Sequence, residues 1–387
     1  MSKQTKVEWT GTPLPAGHPL WKTYPSGVFP GATFNPWIGC EPTSPGCKNC
    51  YAWALAKRAP QLVYGKPLGP LHGLPVWGAA APRRVTSRAY WQEPLAWNKE
   101  ACASGVRKKV FCASLADVFE DFDGPLHGEE RDWLVPGKTN MNDVRRALWA
   151  LIDDTPYLDW LILTKRADRI AKVAPSLWLP FIATGRGGAW PRNVWIGTTC
   201  ESQQYARWRL PDLLALPAPV RFVSYEPALE EVDFGVWLSG YYKCPCCGAA
   251  RDSTSDDGNA YCSQCENDEP LPRHRVDWLS VGGESGDGAR PFDLRWARRV
   301  AAACSAAEAT VFVKQMGARP YDSTLAWKML GAHEPSTEQH ALGLASVTKK
   351  GGDISKWPKE LRVRKWPPVD LPKDHPARTR ERGGACG

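Results

Sequence analysis

The chain has 387 residues, a mass of 42.9 kDa and a formal net charge of +8, and its length allows one large α/β domain or two smaller ones. Apolar residues make up 43% of it, and no apolar run approaches the roughly 20 residues of a membrane helix. The first residues lack the apolar stretch of a signal peptide, so we expect a cytoplasmic protein with no membrane partner. Thiols stay reduced in that compartment, and we therefore interpret the 13 cysteines as metal ligands or catalytic groups.

The first predicted strand, residues 33–38, leads into three closely spaced cysteines. Cys40, Cys47 and Cys50 have the spacing C-x6-C-x2-C, and a predicted helix over residues 53–58 follows them. A structural zinc site needs four ligands, whereas a [4Fe-4S] cluster with one iron open to a substrate or cofactor needs three thiolates. We therefore predict an iron-sulfur loop, with a zinc site completed by a distant residue as the alternative.

Later strands and helices alternate along the chain. Six apolar, β-branched or aromatic runs are predicted strands, at residues 110–114, 160–164, 194–199, 221–225, 277–281 and 310–313. Several are apolar at nearly every position, which is typical of parallel strands buried on both faces. Helices are predicted between them, at residues 142–153, 203–214 and 293–307. The alternation predicts an α/β fold, with the strands in a parallel sheet or a partial (β/α) barrel.

Polar residues follow each of these strands, at the carboxyl ends where barrels of this kind build active sites. Charged groups stand there at Asp117, Lys165, Arg166, Glu201, Glu226, Glu284 and Lys314. Lys165 and Arg166 suit a carboxylate or phosphate, and the alternative is an ion pair with Glu201 or Glu226. We take Lys165, Glu226 and Lys314 as the candidate catalytic residues.

A second cysteine group lies in an insertion at residues 241–270. Cys244 and Cys247 form one C-x2-C pair, and Cys262 and Cys265 form another after fourteen intervening residues. Two such pairs supply four thiolates, so they predict a structural zinc ribbon. We expect it to brace a loop or contact protein, with nucleic acid contact as the alternative.

These features divide the chain into four predicted regions. Residues 1–240 form the first part of the barrel with the cluster loop, residues 241–270 the zinc ribbon, residues 271–350 the rest of the barrel, and residues 351–387 a basic, Pro-rich tail. From residue 357 onward there are eight Lys and Arg against four Asp and Glu. Such a tail suits a nucleic acid or nucleotide partner, and a solvated terminus is the alternative.

A series of motifs in chain order resembles a phage and prophage family of three-cysteine proteins related to radical S-adenosylmethionine enzymes. The motifs are "TFNPWIGCEPTSPGCKNCYA", "SLADVFED", "LTKR", "VWIGTTCE", "SYEP", "VGGESG", "VFVKQMG" and "GGDISKWPKELRVRKWP". The chain departs from the family by Phe34 in place of Trp. Its cysteine spacing is also longer than the C-x3-C-x2-C common in radical enzymes.

The resemblance implies a partial (β/α) barrel whose open iron binds S-adenosylmethionine, which an electron from the cluster cleaves to methionine and a 5'-deoxyadenosyl radical. It also implies an electron donor such as flavodoxin or ferredoxin. We expect a nucleobase, nucleoside or DNA as the substrate, because the three-cysteine loop, the charged residues at the strand ends and the basic tail favour one. The sequence Gly-Gly-Glu after the sixth strand is similar to one that holds the cofactor's amino group after the second strand of such enzymes. Candidate cofactor contacts are Gly282, Gly283, Glu284, Ser285 and Glu201. The competing function is a non-catalytic metal-binding module for nucleic acid or protein.

Overall fold

The computed structural model describes residues 8–58, 77–127, 139–179, 189–243, 250–251, 273–324 and 350–367. Seven strands form one sheet in the order β7-β6-β5-β4-β3-β2-β1. They are β1 (Ala32–Phe34), β2 (Lys108–Cys112), β3 (Leu158–Thr164), β4 (Val194–Thr199), β5 (Arg221–Tyr225), β6 (Trp278–Gly282) and β7 (Thr310–Gln315). The order in space follows the order in the chain, as βα units produce. The fold is mixed α/β with a seven-stranded parallel sheet and is compatible with a partial (β/α) barrel.

Five helices of eight residues or more accompany the sheet in the described ranges. They are α1 (Tyr51–Arg58), α2 (Glu93–Ser104), α3 (Met141–Asp153), α4 (Gln203–Leu214) and α5 (Leu294–Ala306). Shorter helices are Arg88–Trp91, Ile170–Val173 and Gly235–Ser239, and 3-10 turns are Glu8–Thr10, Pro19–Lys22, Pro45–Cys47, Ala167–Arg169, Ser176–Trp178, Ile354–Lys356 and Lys359–Leu361. No helix in the described part of the chain is long and apolar enough to cross a membrane.

Small sheets complete the described secondary structure. Their strands are Thr12–Pro13 with Val28–Phe29; Trp37–Ile38, Arg83–Val85 and Leu126–His127; Tyr241–Lys243, Ala250–Arg251 and Arg273–His274; and Phe292–Asp293 with Pro320–Tyr321. The third of these sheets flanks the predicted zinc ribbon. The four ribbon cysteines themselves, Cys244, Cys247, Cys262 and Cys265, lie outside the described residues.

The chain divides into two compact units. Unit 1 comprises Met1–Lys165, Arg192–Trp195 and Pro368–Gly387, and unit 2 comprises Arg166–Pro191 and Ile196–Pro367. In unit 1, β1 pairs with β2 and β2 with β3, all in parallel. In unit 2, β5 pairs in parallel with β4 and β6, and β6 pairs in parallel with β7.

Helix ends follow local sequence signals. Asn140 caps α3 in a capping box, since its side chain accepts from the Asp143 N–H while the Asp143 carboxylate accepts from the Asn140 N–H. Asp293 caps α5 by accepting from the Arg295 N–H. At the other end of a helix, Gly105 terminates α2 with φ 69°, a left-handed conformation that suits glycine.

The structure changes the bounds of five predicted strands: β2, β3 and β6 differ from the predictions by one or two residues at one or both ends, and the other two changes affect the site. The predicted strand at residues 33–38 is two strands, β1 and Trp37–Ile38, because Pro36 has no N–H to continue a ladder. The predicted strand at 310–313 continues to Gln315, so Lys314 lies inside β7 rather than after it. The predictions at 194–199 and 221–225 are confirmed without change, since β4 and β5 are buried at every position.

A buried lysine gives the fold a predicted pH dependence. Lys109 of β2 donates to Thr12 Oγ1 at 3.0 Å, and its Nζ lies 5.5 Å from the centroid of the Trp195 ring. Burial lowers the pKa of Lys109 to about 8; the Asp159 carboxylate opposes this shift and the Arg107 guanidinium adds to it. An unfolded lysine has a pKa of about 10.4, so between pH 8 and 10 the unfolded state binds more protons than the folded state does. The contribution of Lys109 to the free energy of unfolding therefore rises with pH.

We therefore expect the wild type to gain stability relative to Lys109→Met as the pH rises. The free energy of unfolding of the wild type minus that of the variant should increase by about 2 kcal/mol from pH 7 to pH 10. Urea denaturation at several pH values measures this difference, and other titrating groups cancel between the two proteins. A difference that stays flat or falls with pH would contradict the buried position of the ammonium group.

Candidate functional site

The cysteine loop starts where the chain leaves the strand Trp37–Ile38. Gly39 adopts φ 112°, a conformation open to glycine, and its N–H donates to the Leu115 carbonyl at 2.9 Å. Cys40 follows and forms a parallel bridge with Trp77, and the Gly78 N–H donates to the Cys40 carbonyl at 3.1 Å. Backbone hydrogen bonds thus fix the first cysteine on both sides.

The other two cysteines lie on consecutive turns ahead of α1. The Cys47 N–H donates to the Ser44 carbonyl at 2.9 Å, and the Cys50 N–H donates to the Cys47 carbonyl at 3.2 Å. All three cysteines are half-buried and none forms a disulfide. Cys40 and Cys50 both pack against one apolar cluster, which comprises Ile38, Ala52, Trp77 and Leu115. The structure therefore brings the first and third cysteines of the motif to the same apolar surface.

The electrostatic surroundings of Cys47 favour a thiolate. Burial raises the pKa of the Cys47 thiol, but the Lys165 ammonium and hydrogen bonds from Thr43 and Ser44 outweigh burial and hold that pKa below its usual range. Ser44 Oγ lies 3.9 Å from Cys47 Sγ. Lys165, predicted from the sequence as a catalytic residue, thus favours the thiolate form of the middle cysteine through its charge.

An iron-sulfur cluster fits this loop in donor chemistry. Three thiols within eleven residues, one of them beside a cation, are the ligand type that such clusters use. In the part of the chain that the structure describes, no three or more His, Cys, Asp or Glu side chains are grouped as they would be around a metal ion. The three thiols thus have the ligand chemistry of such a cluster, but the structure does not bring them together as a coordination shell.

Asp117 holds the segment that carries Lys165. This carboxylate is buried and accepts from Thr164 Oγ1 at 2.6 Å and from the Lys165 N–H at 3.1 Å. It also accepts from the Phe119 N–H at 3.1 Å, which orders its own loop. The polar residues that follow β2 and β3 therefore meet, as the positions of these residues at parallel strand ends predicted.

Asn35 is a site residue that the sequence analysis missed. Its Oδ1 accepts from the Leu115 N–H at 2.7 Å, and its amide exchanges a hydrogen bond with Ser114 Oγ at 3.3 Å. Tyr51, the first residue of α1, donates to the Ser114 carbonyl at 2.5 Å. Asn35 and Tyr51 thus tie both ends of the cysteine loop to the segment after β2. The quoted motif contains Asn35, but only the fold shows what its amide does.

In unit 2, the two predicted catalytic residues form an ion pair. Lys314 Nζ donates to Glu226 Oε2 at 2.8 Å, and both side chains are partly exposed, at 21% and 14%. Glu226 follows β5 and Lys314 lies in β7, so the pair reaches across the end of β6 at Gly282. A Cβ at Gly282 would approach the Gln315 carbonyl to 3.1 Å, so glycine allows β6 and β7 to lie close together here.

The acidic cofactor candidates have arginine partners inside unit 2. Arg290 donates to Glu284 through Nε at 3.0 Å and a terminal nitrogen at 2.6 Å, and Glu284 is buried. Arg209 donates to the fully buried Glu201 at 2.9 Å. Glu201, Glu226 and Glu284 therefore each have a cationic partner within unit 2.

The glycines beside Glu284 allow two chain segments to approach closely. A Cβ at Gly283 would lie 2.6 Å from the Met316 carbonyl and 2.9 Å from Phe292 Cβ, so no larger residue fits without movement. Gln315 Nε2 donates to the Gly283 carbonyl at 2.8 Å. Ser285 is exposed at the start of the following turn. The predicted cofactor segment is therefore tightly packed at Gly283 and accessible at Ser285.

A comparison with protein-family models finds one family that matches most of the chain. A family model described as "Protein of unknown function (DUF5131)" matches residues 28–351. The chain belongs to the DUF5131 family. The matched range includes β1 to β7, the cysteine loop and the Glu226–Lys314 pair. Neither a curated protein nor a solved structure matches the chain.

Proposed function

We propose that the protein is a radical S-adenosylmethionine enzyme that acts on a nucleobase, nucleoside or nucleic acid. The observation that carries the proposal is the cysteine loop: three half-buried cysteines outside any disulfide, with the pKa of the middle thiol held below its usual range by the Lys165 ammonium and hydrogen bonds from Thr43 and Ser44. On this proposal the parallel sheet is a partial (β/α) barrel of the radical-enzyme type, and the insertion at residues 241–270 is a zinc ribbon.

Within the proposed mechanism, Cys40, Cys47 and Cys50 hold a [4Fe-4S] cluster. When bound, the cluster supplies an electron that cleaves S-adenosylmethionine to methionine and a 5'-deoxyadenosyl radical. The Lys165 ammonium offsets the negative charge of the thiolates, and Asp117 positions the backbone of that lysine. The apolar cluster behind Cys40 and Cys50 keeps water from that side of the loop.

In unit 2, Glu226 and Lys314 supply an acceptor and a donor to the substrate. Their partial exposure leaves them accessible, while the buried Glu284 and Glu201 stay with their arginines. A carboxylate and an ammonium side by side suit an uncharged polar group, because they already neutralise one another. An electron donor such as flavodoxin or ferredoxin would reduce the cluster.

Anaerobic reconstitution tests the proposal. The full chain is incubated with iron and sulfide under argon, reduced with dithionite and supplied with S-adenosylmethionine. We expect about four iron atoms per chain at the cysteine loop and formation of 5'-deoxyadenosine, measured by liquid chromatography. A reducible cluster that releases no 5'-deoxyadenosine would instead favour the non-catalytic metal-binding module.

A further inference from the structure

The last quoted motif lies in a segment that covers one edge of the large sheet. We call this segment, residues 350–367 of unit 2, the strap. The Val313 N–H donates to the Val363 carbonyl at 2.8 Å, and the strap pairs antiparallel with β7 at this point. The Lys365 N–H donates to β7 in turn, at 3.1 Å. Because β7 is the outermost strand of the sheet, the strap shields an edge that would otherwise be unpaired. The strap is therefore part of the fold of unit 2 and not a solvated terminus.

Side-chain packing also fixes the strap on β7. The Arg364 guanidinium lies 5.4 Å from the centroid of the Phe312 ring and 5.1 Å from that of the Trp357 ring. The Trp366 ring packs edge-on against Phe312, with the centroids 5.2 Å apart. Trp357 and Leu361 are buried. The strap thus turns its largest apolar side chains toward the protein, so the polar ones form its outer surface.

Every fully exposed residue of the strap is polar. These residues are Asp353, Ser355, Lys356, Lys359, Glu360, Arg362 and Lys365. A surface that binds protein centres on apolar or aromatic anchors, and a segment that inserts into a membrane interface needs them as well. Binding to a nucleic acid backbone needs only cations and hydrogen-bond donors. The composition of this surface therefore favours nucleic acid.

Both carboxylates of the strap already have partners within unit 2. Glu360 Oε1 accepts from Arg298 Nε at 2.9 Å. Asp353 accepts from the Ser355 N–H and hydroxyl, and Lys356 Nζ lies 4.0 Å from it. These carboxylates are thus not available to neutralise the other cations of the strap.

Three exposed cations of the strap keep their charge unneutralised. The strap contains six Lys and Arg against two Asp and Glu. In the part of the chain that the structure describes, Lys359, Arg362 and Lys365 form no ion pair. Arg362 donates to the Ser355 and Trp357 carbonyls, which holds the guanidinium in place but leaves its charge uncompensated. Three fixed positive charges within seven residues suit a chain of phosphates.

The strap is joined to the strand that carries a candidate substrate residue. Arg364 donates to the Lys314 carbonyl at 3.1 Å. The Met316 N–H, just beyond the end of β7, donates to the Gly351 carbonyl at 3.0 Å. The strap therefore reaches the carboxyl end of β7, where the Lys314 ammonium pairs with Glu226. A polymer bound to the strap would lie beside this strand.

We propose that the strap binds the phosphate backbone of a nucleic acid through Lys359, Arg362 and Lys365. This deepens the proposed function by naming a nucleic acid polymer, rather than a free nucleoside, as the substrate class. Only the statement that the bound polymer is the substrate rests on the radical chemistry. Binding itself needs neither iron nor S-adenosylmethionine.

Fluorescence anisotropy of the full chain before reconstitution tests the inference. The probes are a labelled DNA single strand of about 20 nucleotides and the duplex of the same sequence, in salt from about 50 to 200 mM. We expect at least one probe to bind with a dissociation constant of roughly 1–100 μM, and the affinity to fall steeply as salt rises. Failure of both probes to bind at about 50 mM salt would overturn the proposal.

A double variant, Lys359→Gln with Lys365→Gln, assigns the binding to the strap. Arg362 is left unchanged because its side chain also holds the backbone of the strap. Each lost phosphate contact lowers the slope of log affinity against log salt by about 0.7 for a single strand and 0.9 for a duplex. We therefore expect the slope to fall by about 1.4 or 1.8, and binding at about 0.1 M salt to weaken tenfold or more.

The matched control is Lys22→Gln with Lys99→Gln. Both lysines are exposed on unit 1, so this variant has the same net charge as the strap variant but an intact strap. It should keep the wild-type affinity and slope. A strap variant that binds like the wild type would overturn the proposal. Binding to phosphatidylserine vesicles but to neither DNA probe, lost in the strap variant, would overturn it as well and assign the surface to a membrane.

The two proposals fail separately. DNA binding that depends on the strap, without 5'-deoxyadenosine formation, would end the radical chemistry and leave the nucleic acid surface in place. Formation of 5'-deoxyadenosine by a protein that binds neither probe would end the nucleic acid surface and leave the radical chemistry in place.

Discussion

We expect Cys47→Ala to remove the brown colour of the anaerobically reconstituted protein and to lower its bound iron by roughly nine-tenths, because the proposed cluster with an open iron has only three protein ligands. Cys47 is the proposed ligand whose thiol pKa is held below its usual range, since the Lys165 ammonium and hydrogen bonds from Thr43 and Ser44 outweigh burial. Visible absorbance between 350 and 450 nm, roughly the range of iron-sulfur absorption, and iron analysis measure the loss.

The matched control is Cys304→Ala. Cys304 is a buried cysteine of α5 that forms no disulfide and lies outside the loop, and its thiol pKa is raised by burial to about 12. This variant should keep the wild-type iron content and absorbance. Circular dichroism checks that both variants are folded. A folded Cys47→Ala protein with full absorbance and full iron would remove Cys47 from the ligand set and, with it, the three-thiolate cluster.

The largest expected effect on stability comes from Glu120 in unit 1. Its carboxylate pairs with Arg83, whose Nε lies 2.9 Å from Oε1, and both side chains are 1% exposed. Trp37 Nε1 donates to the same oxygen at 3.1 Å. Glu120→Ala leaves a buried guanidinium without its counter-charge, so we expect the free energy of unfolding to fall by about 3–5 kcal/mol.

Urea denaturation measures this loss, and Arg146→Ala is the control. Arg146 pairs with Asp143 on the same unit, but its side chain is 70% exposed, so its removal should cost less than about 1 kcal/mol. The double variant Arg83→Met with Glu120→Leu should recover part of the loss, because it buries no unpaired charge. A Glu120→Ala protein as stable as the Arg146→Ala protein would show that the pair does not hold the core of unit 1.

Continuous apolar runs made several strands predictable from the sequence. Residues 194–199 and 221–225 are strands at the predicted bounds, and every position of both is buried, as is typical of parallel strands covered on both faces. The prediction at residues 33–38 failed at a single residue, Pro36, whose missing N–H ends one ladder before the next strand begins.

Helix α2 was missed although its sequence carries helix signals. Pro94 stands in its first turn, Gly105 ends it, and Trp97 and Ala101 are buried four residues apart. These signals were present but weak, since polar residues lie on most sides of the helix. Its position was decided by packing of Trp97 and Ala101 rather than by a clear apolar stripe.

The candidate site was also predicted only in part from the sequence. Cysteine spacing by itself determined where the proposed cluster loop lies, because ligands that are neighbours in the chain need no tertiary structure to come together. The sequence also identified Lys165, Glu226 and Lys314 as polar groups at strand ends. The sequence did not predict which opposite charge each of these residues pairs with, since any carboxylate at these positions is compatible with any nearby cation.

Only the tertiary structure decided that Glu226 pairs with Lys314, Glu284 with Arg290 and Glu201 with Arg209. It also decided that Thr199, Ser224 and Ser280 lie in one row across three neighbouring strands, with no hydrogen-bond partner for Thr199 Oγ1 or Ser280 Oγ among the described residues. In the chain Thr199 and Ser280 are two small polar residues in apolar strands, with nothing to connect them. Register between parallel strands depends on packing along the whole sheet, so residues far apart in the sequence become neighbours only after the strands have aligned.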